Sequence, residues 1–483
     1  RRLFEALSHE KINVILITQA SSEHSICVGI EENAVSKAKR AVDKAFDYEI
    51  KTGSVEPLVV EKQLAIVALV GDNMKSHTGI SGKMFSALGK NGVNVRAIAQ
   101  GSSERNISAV ISVNDVQKAI NVLHEEFFES TMKQINLFIA GTGNVGSKLL
   151  SQLRQQQQYL QQELRVHVRL AGLANSRKML FSNDGIDLDK WEQLLQHGEA
   201  MDRNTFIETI QSKNLRNSVF ADVTASADIA LTYDKLLPKS VSVVACNKIA
   251  CSSAYGQYTK LKSLAREFNA QFLFETNVGA GLPVISTLND LLRSGDKINR
   301  IEAVLSGTLN YVFNHYRGEE DFATVVQRAQ DEGYTEPDPR LDLGGTDVMR
   351  KIMILAREAG EPLEMEDITN HSFMPPSCME GDVENFYSEM RRHEDHFKKM
   401  YHHAAGAGRK LKFVAKYENG KASVGLQEVD PEHGFYHLYG KDNVVLFYTN
   451  RYPEQPLMIK GAGAGAEVTA SGIFADIIRT ANV

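Results

Sequence analysis

A lysine set one helical turn from a carboxylate can bind a small charged molecule and move a proton on it, and this chain carries such a pair. Within Gly333-Tyr-Thr-Glu-Pro-Asp-Pro-Arg-Leu-Asp-Leu-Gly-Gly-Thr-Asp-Val-Met-Arg-Lys351, the residues Glu336, Asp342, Asp347 and Lys351 fall inside 16 positions. Pro337 and Pro339 bar a helix and Gly344-Gly345 interrupts the chain again, so a helix is expected to start near Thr346 and run to Ala359. On it Asp347 and Lys351 stand at i and i+4 on one face, with Asp347 in the first turn, where the helix dipole favours an anion. A lysine can give a proton to an oxygen or stabilise negative charge on it. Taken alone, the segment reads equally well as a capped surface helix with an ordinary ion pair.

A second chemical signature lies upstream. Ile135–Ala140 is a short apolar run suited to a buried strand, followed by Gly141-Thr-Gly143-Asn144-Val145-Gly146 and a helical stretch, Ser147–Leu153. Strand, Gly-x-Gly-x-x-Gly and helix, in that order, form a dinucleotide-binding loop. Gly141 makes the turn, Gly143 lets a pyrophosphate approach the backbone, and Gly146 lets helix pack on strand. Asn144 and Val145 then open the helix whose N-terminus stabilises the phosphate charge. The next strand, Val166–Ala174, runs into Asn175-Ser176-Arg177. An acidic residue at this strand end would suit the 2′-hydroxyl of NAD; Arg177 suits a 2′-phosphate instead, so NADP is expected over NAD.

The elements that position these groups follow in series. Val219–Val223 contains Asp222 and leads to Thr224, Val241–Cys246 leads to Asn247-Lys248, and Gln271–Phe274 leads to Glu275. Ligands of doubly wound sheets collect at the C-terminal ends of strands, so Thr224, Lys248 and Glu275 should face one crevice. The Gln-rich run Gln155–Gln158 with Gln161 and Gln162 is expected to end the first helix as solvated surface. Near the C-terminus, Gly461-Ala-Gly-Ala-Gly465 precedes Val468-Thr-Ala and a last helical stretch through Ile478. Such a loop lets backbone approach a ligand, and the chain would return there to the cofactor fold.

The first third is an internal repeat. Phe4, Leu7, Asn13, Val14, Gln19, Ser21, Ser22, Glu23, Ile26, Ala38 and Phe46 recur without a gap 81 residues later, as Phe85, Leu88, Asn94, Val95, Gln100, Ser102, Ser103, Glu104, Ile107, Ala119 and Phe127. Each copy reads as helix (Leu3–Leu7 or Lys83–Leu88), strand (Val14–Thr18 or Val95–Ala99), a Gln-x-Ser-Ser-Glu turn, alternating strand (Ser25–Ile30 or Asn106–Val113) and helix (Val35–Phe46 or Val116–Phe128). The second copy adds an upstream strand, Leu64–Val70, and a Gly-Asp-Asn-Met loop. The first copy has no room for them, which is expected of the C-terminal part of a longer polypeptide.

The whole chain has 483 residues, 43% hydrophobic and 24% charged, with a net charge of −6. At about 150 residues per domain that is roughly three domains. The negative balance has the wrong sign for a nucleic-acid surface, and no apolar run approaches the ~18 residues of a membrane span, so neither partner is expected. Four scattered cysteines, Cys27, Cys246, Cys251 and Cys378, read as reduced thiols of a cytoplasmic protein.

The repeat resembles tandem ACT domains, small βαββα ferredoxin-like modules that bind amino acids, in the arrangement found in the regulatory region of aspartate kinases. The resemblance implies effector contacts at Gln19 and Gln100; the alternative is that both side chains simply cap turn backbone groups. Further along, NVGAGLP (Asn277–Pro283), LSGTLNY (Leu305–Tyr311), GYTEPDP (Gly333–Pro339) and GAGAG-x-x-VTA (Gly461–Ala470) resemble homoserine dehydrogenases, in that family's order behind the glycine loop. Joined, the two resemblances point to the bifunctional aspartokinase–homoserine dehydrogenase family without its kinase domain, aspartate kinase activity being expected only in a longer chain.

That resemblance implies an α/β fold: a Rossmann-type doubly wound domain with an α+β substrate and dimerisation domain, preceded by the tandem ACT units. The expected boundaries are 1–62, 63–133, 134–275, 276–450 and a returning segment, 451–483. It also implies interconversion of homoserine and aspartate 4-semialdehyde with NAD(P)H. Lys351 is then the general acid/base, Lys248 a second candidate to polarise the same oxygen, and Glu336, Asp342 and Asp347 the substrate-binding carboxylates, Asp342 alternatively orienting Lys351. Thr224, Lys248, Arg177 and Gly465 join the glycine loop at the cofactor. Carbonyls of Glu275, Val278, Ala280 and Leu282 resemble the family's site for a monovalent cation such as Na⁺, a Gly-rich hinge between domains being an equal reading of that loop, and a homo-oligomer, dimer or tetramer, is expected. The competing reading is an amino-acid-sensing module on an inactive scaffold, against which stand the intact Glu336, Asp347, Lys351 and Lys248.

Overall fold

Along Asn106–Ser112 residues alternate between core and surface, with Ile107, Ala109 and Ile111 fully buried, the pattern of a strand with one face on a core. The computed structural model describes residues 1–19, 25–71, 78–100, 105–128, 132–440 and 442–481. The Ser-Ser-Glu parts of both repeat turns and Asp72–Met74 of the upstream loop lie outside them. The chain divides into two compact units, residues 1–133 with 214–216, and residues 134–213 with 217–483.

In the first unit the repeat is realised position by position. Helix Arg2–His9, strands Val14–Thr18 and Cys27–Ile30, and helix Val35–Ala45 form the first copy. Strand Leu64–Val70, helix Ile80–Lys90, strands Ala97–Ala99 and Asn106–Ser112, and helix Val116–Phe127 form the second. Equivalent residues fill equivalent cores: Leu7 and Ala38 in one, Leu88 and Ala119 in the other. The second copy has a three-stranded antiparallel sheet with Asn106–Ser112 central, whereas the first pairs Val14–Thr18 with Cys27–Ile30 alone.

The second unit holds two sheets. One runs in the order Phe272–Leu273, Ser242–Ala245, Ser218–Asp222, Lys133–Ala140, Val166–Ala174, Lys178–Phe181, Glu199–Ala200. Its first four strands are parallel. The strand Val166–Ala174 then turns back through Asn175–Arg177 into an antiparallel pair. The other sheet orders Ile368–His371, Lys421–Val429, Lys410–Glu418, Ile298–Val304, Asp442–Thr449, Leu457–Ala462, antiparallel except for its first pair. Helices Gly307–His315 and Thr346–Glu358 pack against its strands.

One expectation is corrected. The helix after the glycine loop spans Asn144–Gln162, so the Gln-rich run continues it instead of ending it. Glutamine is a good helix former, and Leu153 and Leu160, two turns apart, are both buried and hold the helix down. Among the described residues no helix is long and apolar enough to cross a membrane.

The last helix, Ala466–Arg479, packs along Asn144–Gln162. Its Ala470, Ile473 and Ile477 join Ile135, Leu137, Leu149 and Leu153 in one buried cluster. Ile473 is fully buried, so Ile473→Ala is expected to cost about 2–5 kcal/mol through lost burial and the cavity left behind. A thermal melt of the variant should show a lower midpoint; an unchanged midpoint would mean the helix contributes nothing to that core.

Candidate functional site

The helix Thr346–Glu358 begins where the sequence places it, at Gly345. This glycine has φ +75° and a Cβ there would lie 2.8 Å from the Phe413 ring, so no other residue fits the turn without displacement. Val348, Ile352 and Leu355 are buried and fix the helix against the sheet. Lys351 consequently projects its ammonium to the Leu305 carbonyl at 2.7 Å and to Asp347 Oδ2 at 2.8 Å. Leu305 follows the strand Ile298–Val304 directly, and Ser306 caps the next helix by accepting from the Leu309 N–H at 3.1 Å. LSGTLNY is therefore a strand-to-helix corner that presents a backbone oxygen to the lysine.

Lys248 reaches the same aspartate from the other sheet. It follows Ser242–Ala245 and opens the single-turn helix Ile249–Ser252, with its ammonium 3.4 Å from Asp347 Oδ1. Desolvation would raise the Asp347 carboxyl, but the charges of Lys351 and Lys248, with their hydrogen bonds, outweigh it and hold the group well below the usual carboxylate range. One carboxylate thus serves two ammonium groups, one on its own helix and one from the end of the parallel sheet.

The remaining carboxylates gather beside it. Asp342 accepts the Glu336 backbone N–H at 2.8 Å, and the Thr308 hydroxyl stands 3.1 Å from its other oxygen. Burial, reinforced by the charges of Glu336 and Asp347, pushes the Asp342 carboxyl up, against its hydrogen bonds. Asp342 therefore shapes the GYTEPDP loop, while the exposed Glu336 carboxylate makes no hydrogen bond or ion pair among the described residues.

On the cofactor side, a Cβ on Gly146 would lie 2.1 Å from the Gly141 oxygen, and one on Gly141 would lie 2.5 Å from the Val223 oxygen and 3.1 Å from Thr224 Cγ2. Loop and Thr224 are thus in van der Waals contact, and Asn144 and Val145 start the helix. Nothing lies within 4 Å of a Cβ on Gly143 or Gly465, so both face open space. Gly465 precedes the last helix, which the Lys148–Glu467 ion pair, at 3.2 Å, ties to the glycine-loop helix. Arg177 sits in the hairpin turn just past Ala174, whose carbonyl accepts the Gly141 N–H at 2.8 Å; its side chain is exposed.

Three residues with no role in the sequence reading organise the site. Buried Asp222 accepts from the Thr224 N–H at 2.8 Å, the Tyr233 hydroxyl at 2.6 Å and the Asn247 amide at 3.1 Å. Asn247 in turn caps the Ile249 N–H at 3.1 Å, so these two join Thr224 to the Lys248 turn. Polar residues ending apolar strands were the available signal. Asn443, 1% exposed, places its amide nitrogen 3.4 Å from the Leu305 oxygen that anchors Lys351 and 3.5 Å from the Gly463 oxygen. Its own oxygen is buried without a partner among the described residues. No local pattern distinguishes it.

The loop after Glu275 is occupied differently. The Glu275 carboxylate accepts the Ile285 and Ser286 N–H groups at 2.6 and 2.9 Å and pairs with Arg479 at 3.1 Å, capping the helix Val284–Arg293. Of the four carbonyls, Glu275 accepts the Val278 N–H at 3.3 Å and Leu282 that of Val284 at 2.8 Å. Val278 and Ala280 are buried, Ala280 with φ +53°. Among the described residues no cluster of three or more His, Cys, Asp or Glu side chains could hold a metal. In the first unit Gln19 and Gln100 each follow directly on a strand and are exposed, and the Ser81 hydroxyl donates to Gln100 Oε1 at 3.2 Å.

A family profile for the homoserine dehydrogenase NAD binding domain matches residues 141–275, one for homoserine dehydrogenase matches 283–478, and one for the ACT domain matches 1–46 and 67–127. Bifunctional aspartokinase/homoserine dehydrogenase 1, chloroplastic, of Arabidopsis thaliana is 40% identical across 99% of this chain. The bifunctional aspartokinase/homoserine dehydrogenase of Haemophilus influenzae is 38% identical across the same share. The chain spans 53% and 59% of their lengths. A Candida auris protein of unknown function, 34% identical, superposes over 72% of this chain and 99% of its own with a TM-score of 0.66. A hyperthermophilic archaeal homoserine dehydrogenase solved in complex with NADPH, 23% identical, shares the fold over 72% of this chain and 98% of its own with a TM-score of 0.57.

The depressed Asp347 carboxyl makes part of the stability pH-dependent. Its contribution is complete above the ordinary aspartate value of about 3.9 and is lost as pH falls from there toward the lower folded value. In urea denaturation, the stability gap between the parent chain and Asp347→Asn should be constant near neutrality and narrow below about pH 4. A gap that is flat across that range would mean Asp347 is not held by the two lysines.

Proposed function

The chain belongs to the homoserine dehydrogenase family, and on that premise we propose that it interconverts L-homoserine and aspartate 4-semialdehyde with NADP(H). The observation that carries this reading is the Lys248–Asp347–Lys351 array, which joins the end of a dinucleotide-type sheet to a substrate-side helix. A bound nicotinamide supplies the hydride for the aldehyde carbon. Lys351 then gives its proton to the oxygen becoming an alkoxide, and takes it back in the oxidative direction. Lys248 adds positive charge at the same oxygen. Asp347 keeps both ammonium groups oriented, and Glu336, with Asp342 shaping its loop, receives the substrate ammonium.

The residues present fit the cofactor: Gly141, Gly143, Asn144, Val145 and Gly146 for the pyrophosphate, Thr224 and Gly465 along its length, and Arg177 for a 2′-phosphate. The carbonyls of Glu275, Val278, Ala280 and Leu282 would hold a monovalent cation such as Na⁺, those of Glu275 and Leu282 while also accepting the Val278 and Val284 N–H groups. In the same reading, residues 134–275 bind the cofactor, 276–450 bind substrate and build a dimer or tetramer, and 451–483 complete the cofactor domain. The ACT units, 1–62 and 63–133, take an amino-acid effector through Gln19 and Gln100. The names of the relatives support a longer polypeptide that also carries aspartokinase activity, and four free cysteines support a reducing compartment, the cytoplasm.

Reduction of NADP⁺ dependent on homoserine, followed by absorbance at 340 nm, tests the reading directly; its absence with both NADP⁺ and NAD⁺ would favour the sensing module on an inactive scaffold. Lys351→Ala is expected to retain cofactor binding and lose at least about 100-fold in turnover, the scale of a missing general acid/base. Turnover within a few-fold of the parent would transfer the role to Lys248. Arg177→Ala should weaken NADP(H) more than NAD(H), because only the former has a 2′-phosphate for a charge-assisted contact. Equal weakening of the two would remove Arg177 from cofactor selection.

A further inference from the structure

The helix that carries Asp347 and Lys351 also carries a buried cation nearer its C-terminal end, Arg357. The Arg357 side chain is completely buried, and its guanidinium is engaged on every side. Nε donates to the Leu363 carbonyl at 2.8 Å, and one terminal nitrogen donates to the Cys251 carbonyl at 2.8 Å and the Ser253 carbonyl at 2.7 Å. The other pairs with Glu364 Oε2 at 2.8 Å, while Glu364 Oε1 accepts the Tyr255 N–H at 2.8 Å. Cys251 and Ser253 lie at the end of the single-turn helix Ile249–Ser252, and Lys248 lies at its start. The turn is internally tight, since both the N–H and the hydroxyl of Ser252 donate to the Lys248 carbonyl at 2.9 Å. Moving the Cys251–Ser253 carbonyls therefore moves Lys248.

We propose that Arg357 is a positioning residue for the reaction: by fastening the Cys251–Ser253 carbonyls to the helix Thr346–Glu358, it holds the Lys248 ammonium against Asp347. The inference rests on the dehydrogenase reading above and adds to it the group that sets the spacing between the two lysines. A planar fork is needed to reach two carbonyls, a third carbonyl and a carboxylate at once, and lysine has no such geometry. The adjacent Glu358 adds further links, accepting from Lys262 at 2.7 Å and Asn289 at 3.0 Å, but it grips the helices Tyr255–Glu267 and Val284–Arg293 and not the Lys248 turn. Arg357 is thus placed to act through Lys248 in particular.

The test is a double-mutant cycle on the full chain with homoserine and NADP⁺, residual turnover being read by NADPH fluorescence. Arg357→Lys should lower kcat/KM at least about tenfold in the parent background and less than about twofold in a Lys248→Ala background, because the residue it positions is already gone. Equal fold-losses in the two backgrounds would show a general structural role and overturn the proposal, as would no loss in either. Glu364→Gln, which keeps the packing and removes the carboxylate charge that pairs with Arg357, should show the same coupling at smaller size, and supplies the cycle if Arg357→Lys does not fold. A parent chain with no homoserine-dependent turnover would overturn the dehydrogenase reading and this inference together; an active parent with uncoupled losses overturns this inference alone.

Discussion

A single carboxylate shared by two ammonium groups is the constraint around which the second unit is organised. Asp347 lies 2.8 Å from Lys351 and 3.4 Å from Lys248, one lysine on the helix Thr346–Glu358 and the other past the end of the strand Ser242–Ala245. Two like charges so close repel unless an anion stands between them. The spacing therefore requires that the helix Thr346–Glu358, the turn at Lys248 and the corner at Leu305 be held in fixed relation to one another. Part of the polar burial in the unit serves that end: Asp222 and Asn247 at the Lys248 turn, Arg357 with its partner Glu364 at the far end of that turn, Asn443 beside Leu305.

The division of labour between the sheets follows from their geometry. A parallel sheet ends all its strands on one edge, which gathers the glycine loop, Thr224 and Lys248 without any long-range design. An antiparallel sheet has no such common edge. The substrate side instead takes its groups from one helix start and two loops, each fixed by its own cap or turn: Gly345, Ser306 and the Asp342-to-Glu336 bond.

What could be read in advance was whatever is encoded locally. Prolines and glycines bracketed the Lys351 helix correctly because those residues act on their own backbone. The glycine loop was legible for the same reason, and the repeat was visible because equal cores need equal residues, as Leu7 and Leu88 show. The Gln-rich run was misjudged because its exposed face was read and the buried Leu160 within it was not. Arg357, Asn443 and the Leu305 carbonyl escaped entirely: a backbone oxygen has no residue type, and a buried polar side chain has meaning only once distant segments have come together.

The last helix carries a consequence for how the chain is made. Ala470, Ile473 and Ile477 complete the cluster that Ile135, Leu137 and Leu149 begin, although more than 300 residues separate them. At translation rates of about 5–20 residues per second, the growing polypeptide holds that apolar seam open to water on the order of tens of seconds. Throughout that interval the apolar residues of the glycine-loop unit lack the cover that the helix Ala466–Arg479 supplies once it emerges.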